Sequence, residues 1–245
     1  MTESGGAVVR TVLDTGAGGD GLLRRLVEAF PGSRFEGTAG PGGELWFVIA
    51  GLGRLKSGTE PAIPVQRDTG LWWPPGAHYC LYAEGPGALR LDSVSLPAGA
   101  ADRDGTGTQD WAGAPGNATG PRLSELRDCP VEVTGDRQFR VLFGPGNGCR
   151  AATQFVGEIP PGRAPEHSHP YDEVVLVLEG EGVLHAGPAD HPLAPGSCVH
   201  LSPGQAHCLE NTGRATLRVL GVFHPGGSPA SKKEGADSEP QRRER

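Results

Sequence analysis

Residues 173–182 read EVVLVLEGEG, and residues 44–53 read ELWFVIAGLG. Each stretch is a glutamate, then an apolar run containing β-branched residues, then two glycines one residue apart. Such a run reads as a buried strand closed by a tight turn, because glycine adopts backbone angles that other residues resist. A second signature repeats downstream, where Pro74, Pro75, Gly76, Ala77, His78, Tyr79 and Cys80 align with Ser202, Pro203, Gly204, Gln205, Ala206, His207 and Cys208. From Glu44 to Tyr79 is 35 positions, and from Glu173 to His207 is 34. Two copies of one strand-turn-strand module predict two tandem β barrels.

Outward from these runs, the copies occupy about 8–97 and 122–225. Residues 98–121, rich in Gly, Ala, Thr and Asp, read as a flexible linker, and 226–245 as a disordered tail whose charges nearly cancel. With Gly 40 and Pro 23 in 245 residues, turn-rich β structure is expected almost throughout. The exception is Gly21 to Phe30, where Leu22, Leu23, Leu26, Val27 and Phe30 recur at helical spacing before Pro31, predicting a helix.

The net charge of -7 and the lack of a basic stripe argue against nucleic acid as a partner. Cys80, Cys129, Cys149, Cys198 and Cys208 are odd in number and scattered, which predicts reduced thiols rather than a disulfide framework. No stretch is apolar and long enough for a signal peptide or a membrane span, so a cytoplasmic protein without a membrane partner is expected.

His167 and His169 flank one residue, so on an extended segment both side chains point the same way, and Glu173 follows four positions later. His207 completes the set if its strand neighbours theirs, since inward-facing residues of different barrel strands share one cavity. A buried cluster of three imidazoles and a carboxylate is costly without a cation and stable with one.

These residues carry a resemblance to the cupins. Gly162 to Gly180, GRAPEHSHPYDEVVLVLEG, is similar to the first cupin motif, and Gly196 to Asn211, GSCVHLSPGQAHCLEN, to the second, with Ser202 standing where proline is usual. The resemblance implies an all-β chain of two tandem cupin barrels (double-stranded β-helix, jelly-roll), the N-terminal one degenerate. It also implies one divalent transition-metal ion (Fe, Mn, Ni, Cu or Zn) on His167, His169, Glu173 and His207, with Glu173 and His207 as catalytic residues.

The first copy retains Glu44 but has Thr38, Gly40 and Tyr79 at the positions of the three histidines. A structural role is expected for it, with Trp46, Trp72 and Trp73 in a core or interface. His78, one position from the ligand slot, is expected to face outward, and Cys208 beside His207 to point opposite to it as a small buried hydrophobe. His185, His191, His200 and His224 read as solvated or singly hydrogen-bonded, with His185 and His200 as candidate outer-sphere groups. Tyr171 reads as an exposed loop residue. Val175, Val177, Phe155 and Leu209 are candidate pocket walls, while Arg150, Arg163 and Arg218 read first as surface arginines and second as carboxylate anchors.

Four protein donors leave coordination positions open for substrate, water or dioxygen. The resemblance favours a mononuclear-metal dioxygenase acting on a small organic molecule. A redox-neutral isomerase, cyclase or lyase and a non-catalytic small-ligand binder are the alternatives, and a homodimer is the expected assembly where one forms.

Overall fold

The computed structural model describes residues 2–4, 6–16, 21–57, 61–100 and 121–230. Residues 101–120 of the expected linker and 231–245 of the expected tail lie outside the described residues. The first half runs through β1 (Thr2–Ser4), β2 (Ala7–Asp14), β3 (Leu23–Ala29), β4 (Arg34–Thr38) and β5 (Glu44–Ala50). It continues with β6 (Leu52–Lys56), β7 (Ile63–Gln66), β8 (Thr69–Trp73), β9 (His78–Glu84), β10 (Leu89–Ser95) and β11 (Arg122–Glu125). A 3-10 turn at Leu126–Asp128 leads into β12 (Glu132–Thr134), β13 (Arg137–Phe143), β14 (Thr153–Ile159), β15 (Gly162–Arg163) and β16 (Asp172–Glu179). The chain ends in β17 (Gly182–Ala186), β18 (Ala189–Leu193), β19 (Cys198–Leu201), β20 (His207–Asn211) and β21 (Leu217–His224).

The sheet order repeats. The large sheets run β1-β2-β3-β10-β5-β8-β11 and β12-β13-β14-β21-β16-β19, and the small ones β4-β9-β6-β7 and β15-β20-β17-β18. Matching β2 with β13, β3 with β14 and so on gives one order for both halves. Each half is therefore an antiparallel jelly-roll barrel of one large and one small sheet. Arg122–Glu125 pairs with β8, so these residues complete the first barrel's large sheet. Among the described residues no helix is long and apolar enough to cross a membrane.

Burial explains the two apolar runs. In β5, Trp46 and Val48 point into the first barrel while Leu45 and Phe47 point out of it. In β16, Val175 and Val177 point into the second barrel while Val174 and Leu176 point out. The outward sets meet in one core at the junction, joined by Trp72, Leu142, Phe143, Val156, Leu220 and Val222. Both sheets are thus covered on both faces, which is why their central strands are continuously apolar. Each fully buried large side chain there contributes roughly 1.5–3 kcal/mol. The small sheets face water on one side, and β9 accordingly alternates exposed and buried residues. The glycines ending the runs are required: Gly51 (φ 90°) and Gly180 (φ 86°) hold left-handed backbone. A Cβ would also stand 2.5 Å from the Ala88 carbonyl oxygen at Gly51, and 2.9 Å from that of Thr216 at Gly180.

The helix expected over Gly21 to Phe30 is instead a strand, β3, lying between β2 and β10. Apolar residues at this short spacing suit a strand covered on both faces as well as a helix, and sheet pairing decides the outcome. One residue of β3 also reaches the other barrel. Arg24 is fully buried and binds Asp92 through Nε and Nη2 at 2.7 and 3.0 Å. The same Nη2 donates to the Leu220 carbonyl of the second barrel at 3.2 Å. The pair therefore ties the two barrels together.

Removing one partner strands a charge in the core. Asp92→Asn or Arg24→Met alone should lower the unfolding free energy by about 3–5 kcal/mol in urea titration, and joint replacement by Met and Leu by much less. Equal losses for the single and double changes would contradict this account.

Candidate metal centre

Alternation along β16 places Glu173 on the inner face with Val175 and Val177. Pairing sets it opposite Leu201 of β19 and Phe223 of β21. His207 opens β20 and exchanges both backbone hydrogen bonds with His167, at 2.9 and 3.0 Å, which fastens the histidine loop to that strand. The Gly204 N–H donates to the His169 carbonyl at 2.7 Å.

The four predicted site residues come together at one end of the second barrel. One ligand-type atom from each of His167, His169 and His207 lies within 4.8 Å of the others. Glu173 Oε2 stands 3.7 Å from His169 Nε2 and 3.6 Å from His207 Nε2. Those separations are long for hydrogen bonds. They are close to the roughly 3–3.5 Å between donors that each sit about 2.0–2.2 Å from a shared ion.

The protonation pattern also fits an ion. Nδ1 of His167 and of His207 lie 3.1 and 2.9 Å from the Pro165 and Gln205 carbonyl oxygens. An Nδ1–H donated to a carbonyl leaves the Nε2 lone pair free, the form a metal ligand needs. Desolvation holds His207 below the usual histidine range and so favours its neutral form. Glu173 Oε2 is buried with no hydrogen-bond partner among the described residues, and desolvation pushes this carboxyl up to about 8. A divalent cation would satisfy the orphan oxygen and keep the carboxylate ionised, so the donor set suits one. His169 and His207 are buried and His167 is half-buried, which leaves the site open on the His167 side.

An aromatic wall backs the cluster. Tyr171, expected as an exposed loop residue, is 6% exposed and stacks on His169 with ring centroids 5.1 Å apart. Its hydroxyl donates to the Ser228 carbonyl at 2.9 Å, drawing the segment after β21 over it. Gly227 permits this, since a Cβ there would stand 2.3 Å from the Tyr171 ring. Phe223 packs on His169 at 5.2 Å, Phe155 on Phe223 at 4.8 Å and Phe139 on Phe155 at 6.5 Å.

Other candidates fall elsewhere. His185 sits on the outer face between Asp190 (2.6 Å) and Glu210 (2.8 Å), His200 faces Asp172 (2.7 Å), and His224 Nδ1 lies 2.8 Å from the Ala151 carbonyl oxygen. His191 is exposed. Cys208 is buried behind Arg163, and Arg218 donates to Asp68 of the first barrel at 2.8 Å. Sequence reasoning missed Arg137. It shares a strand face with Phe139, and its positive charge lowers the proton affinity of both Glu173 and His207. The signal was an arginine in phase with the core residues of β13.

The first barrel is filled where the second is polar. Tyr79 occupies the place of His207 and packs against Trp46 (4.5 Å), Trp73 (5.2 Å) and Phe35 (5.9 Å). Glu44 accepts hydrogen bonds from Trp46 Nε1 (2.9 Å), Arg25 Nη2 (3.2 Å) and Ser95 Oγ (3.2 Å). His78 faces outward and meets Thr38 Oγ1 at 2.8 Å.

Comparisons with known proteins bear on the fold and on the second barrel. Residues 155–223 match the family model described as Cupin domain. An oxalate-binding protein of Thermotoga maritima is 36% identical over 68 residues, covering 27% of this chain and 56% of that protein. Auxin-binding protein 1 of Arabidopsis thaliana is 33% identical over 125 residues, covering 45% of this chain and 63% of the relative. The chain therefore spans less than two thirds of either relative. Among solved structures, a mutant oxalate decarboxylase of Bacillus subtilis superposes with a TM-score of 0.70 at 15% identity, over 93% of this chain and 75% of that one. The second barrel thus carries the match to the cupin model over residues 155–223, and the described chain shares with that solved structure a fold of two tandem jelly-roll barrels.

Proposed function

We propose that His167, His169, Glu173 and His207 hold one divalent transition-metal ion, and that the second barrel uses it to transform a small organic molecule. The observation that carries this reading is the buried Glu173 Oε2, without a hydrogen-bond partner among the described residues and set between two imidazole Nε2 atoms. A bound ion with open positions supplies Lewis-acid polarisation or, for a redox metal, activation of dioxygen. The chain's own groups do the rest. Glu173, ionised when the ion is bound, would offset part of its charge through Oε2. His207, whose neutral form burial favours, presents Nε2. Tyr171, Phe223 and Phe155 exclude water behind the cluster, and substrate enters past His167.

A mononuclear-metal dioxygenase is the first reading, supported by a donor set of three nitrogens and one carboxylate and by an aromatic wall suited to a small planar molecule. A redox-neutral cleavage is the second, supported by the likeness to oxalate decarboxylase of Bacillus subtilis, a protein with Mn(II) centres. The likeness to an oxalate-binding protein supports ligand binding without turnover as a third.

Metal analysis of protein purified without added metal should find one equivalent in the wild type and little in His207→Ala. Oxygen uptake that depends on His207 selects the dioxygenase, turnover under argon selects the redox-neutral reaction, and absence of divalent-ion affinity removes both.

The metal-free protein should also lose stability as pH rises. Glu173 is raised to about 8 in the folded state from an ordinary value of 4.5, so between those values the folded state binds the extra proton. Its favourable contribution is complete below the unfolded value and is lost as pH climbs through the folded one. Melting temperature should therefore fall from pH 5 to pH 8 in the absence of metal, more steeply than in Glu173→Gln, and added divalent ion should reduce the slope. Parallel profiles for wild type and variant would refute this role.

A further inference from the structure

We propose that the segment after β21, residues 225–228, is a latch that sets the orientation of the His169 ring through Tyr171, which makes Tyr171 a positioning residue of the second barrel. The inference rests on the metal reading above for the use of the oriented ring, and adds to it the element that holds the ring in place.

The latch is fastened along its length. At its root His224 Nδ1 lies 2.8 Å from the Ala151 carbonyl oxygen, and further on the Gly227 N–H donates to Thr153 Oγ1 at 3.1 Å. The Ser228 carbonyl then accepts the Tyr171 hydroxyl at 2.9 Å. The fit between these fastenings is close. A Cβ at Gly227 would stand 2.3 Å from the Tyr171 ring, and one at Gly226 would stand 3.0 Å from Pro145 and 3.1 Å from the Arg150 carbonyl oxygen. The main chain comes this near to the ring because glycine carries no side chain.

Tyr171 carries the contact into the cluster. It lies two residues from His169 and two from Glu173, and its ring is nearly parallel to the His169 imidazole, at 12° with centroids 5.1 Å apart. Phe223 meets both rings, at 5.2 Å from His169 and 4.5 Å from Tyr171. In His167 and His207, Nδ1 lies within hydrogen-bond distance of a backbone carbonyl two residues earlier, which fixes those rings. In His169 the aromatic faces restrain rotation. A ring turned out of the Tyr171 plane would carry Nε2 from its place 3.7 Å from Glu173 Oε2. Phenylalanine at position 171 would stack as well, so what the hydroxyl adds is the bond to the latch.

The test compares full-length wild type with two variants that act on opposite ends of the contact. Tyr171→Phe keeps the ring and removes its bond to Ser228, whereas Thr153→Val loosens the latch where it is held to β14. Val65→Ala, in the core of the first barrel, serves as a destabilised control. In metal-free protein labelled at histidine, the His169 imidazole resonances should shift or broaden in both latch variants, while those of His185 on the outer face stay in place. Calorimetric affinity for Mn(II) should fall by about three- to tenfold in both, the scale of one lost hydrogen bond. The electron paramagnetic resonance spectrum of bound Mn(II) should broaden with it. Val65→Ala should change neither the resonances nor the affinity. Unchanged His169 resonances in either latch variant overturn the latch, as do wild-type Mn(II) affinity and spectrum in both. A wild type that binds no divalent ion overturns the metal reading alone, and the His169 resonances then decide the latch.

Discussion

Leu45 and Phe47 from one barrel and Val174 and Leu176 from the other are buried in a single core between the two large sheets. Because those sheets are covered on both sides, every residue of β5 and β16 has an obligatory side. A shift of one position along β16 would turn Glu173 into the apolar junction and bring Val174 among the histidines. Packing at the junction therefore sets the orientation of the carboxylate as firmly as anything in the cluster itself. Arg24, bound to Asp92 and to the Leu220 carbonyl, adds a directional contact to this otherwise non-directional burial.

The two glutamates at equivalent positions show what surroundings do to one functional group. Glu44 is buried at 2% exposure, yet indole, guanidinium and hydroxyl donors satisfy it, so its charge is a structural element. Glu173 is comparably buried at 7% and faces the edges of two imidazoles, with one oxygen unsatisfied. The repeat conserves position and burial. The neighbours decide between a closed hydrogen-bond network and a set of donors poised for a cation.

Much of this was legible in the chain. Strand periods, the paired glycine turns and the spacing from glutamate to histidine define the two barrels, because each reports a local backbone requirement. His167, His169, Glu173 and His207 stand out because ligand types at fixed offsets are a local pattern too. What was not legible depends on distant partners. β3 carries a helical spacing that only its pairing with β2 and β10 overrides. Tyr171 owes its burial to Gly227 and Ser228, which sequence reading assigned to the tail. Arg137 lies on β13, outside both histidine motifs, and its charge acts on Glu173 and His207 only in the folded barrel.

The aromatic filling of the first barrel makes the divergence of the two halves hard to reverse. Tyr79 interlocks with Trp46, Trp73 and Phe35, while Trp46 also holds Glu44. A histidine at position 79 would open a void among those rings, and the glutamate would still be occupied by the indole. Building an ion site there needs several coordinated replacements, each destabilising by itself. Single replacements can alter the polar end of the second barrel, whereas the equivalent end of the first is closed by its own packing.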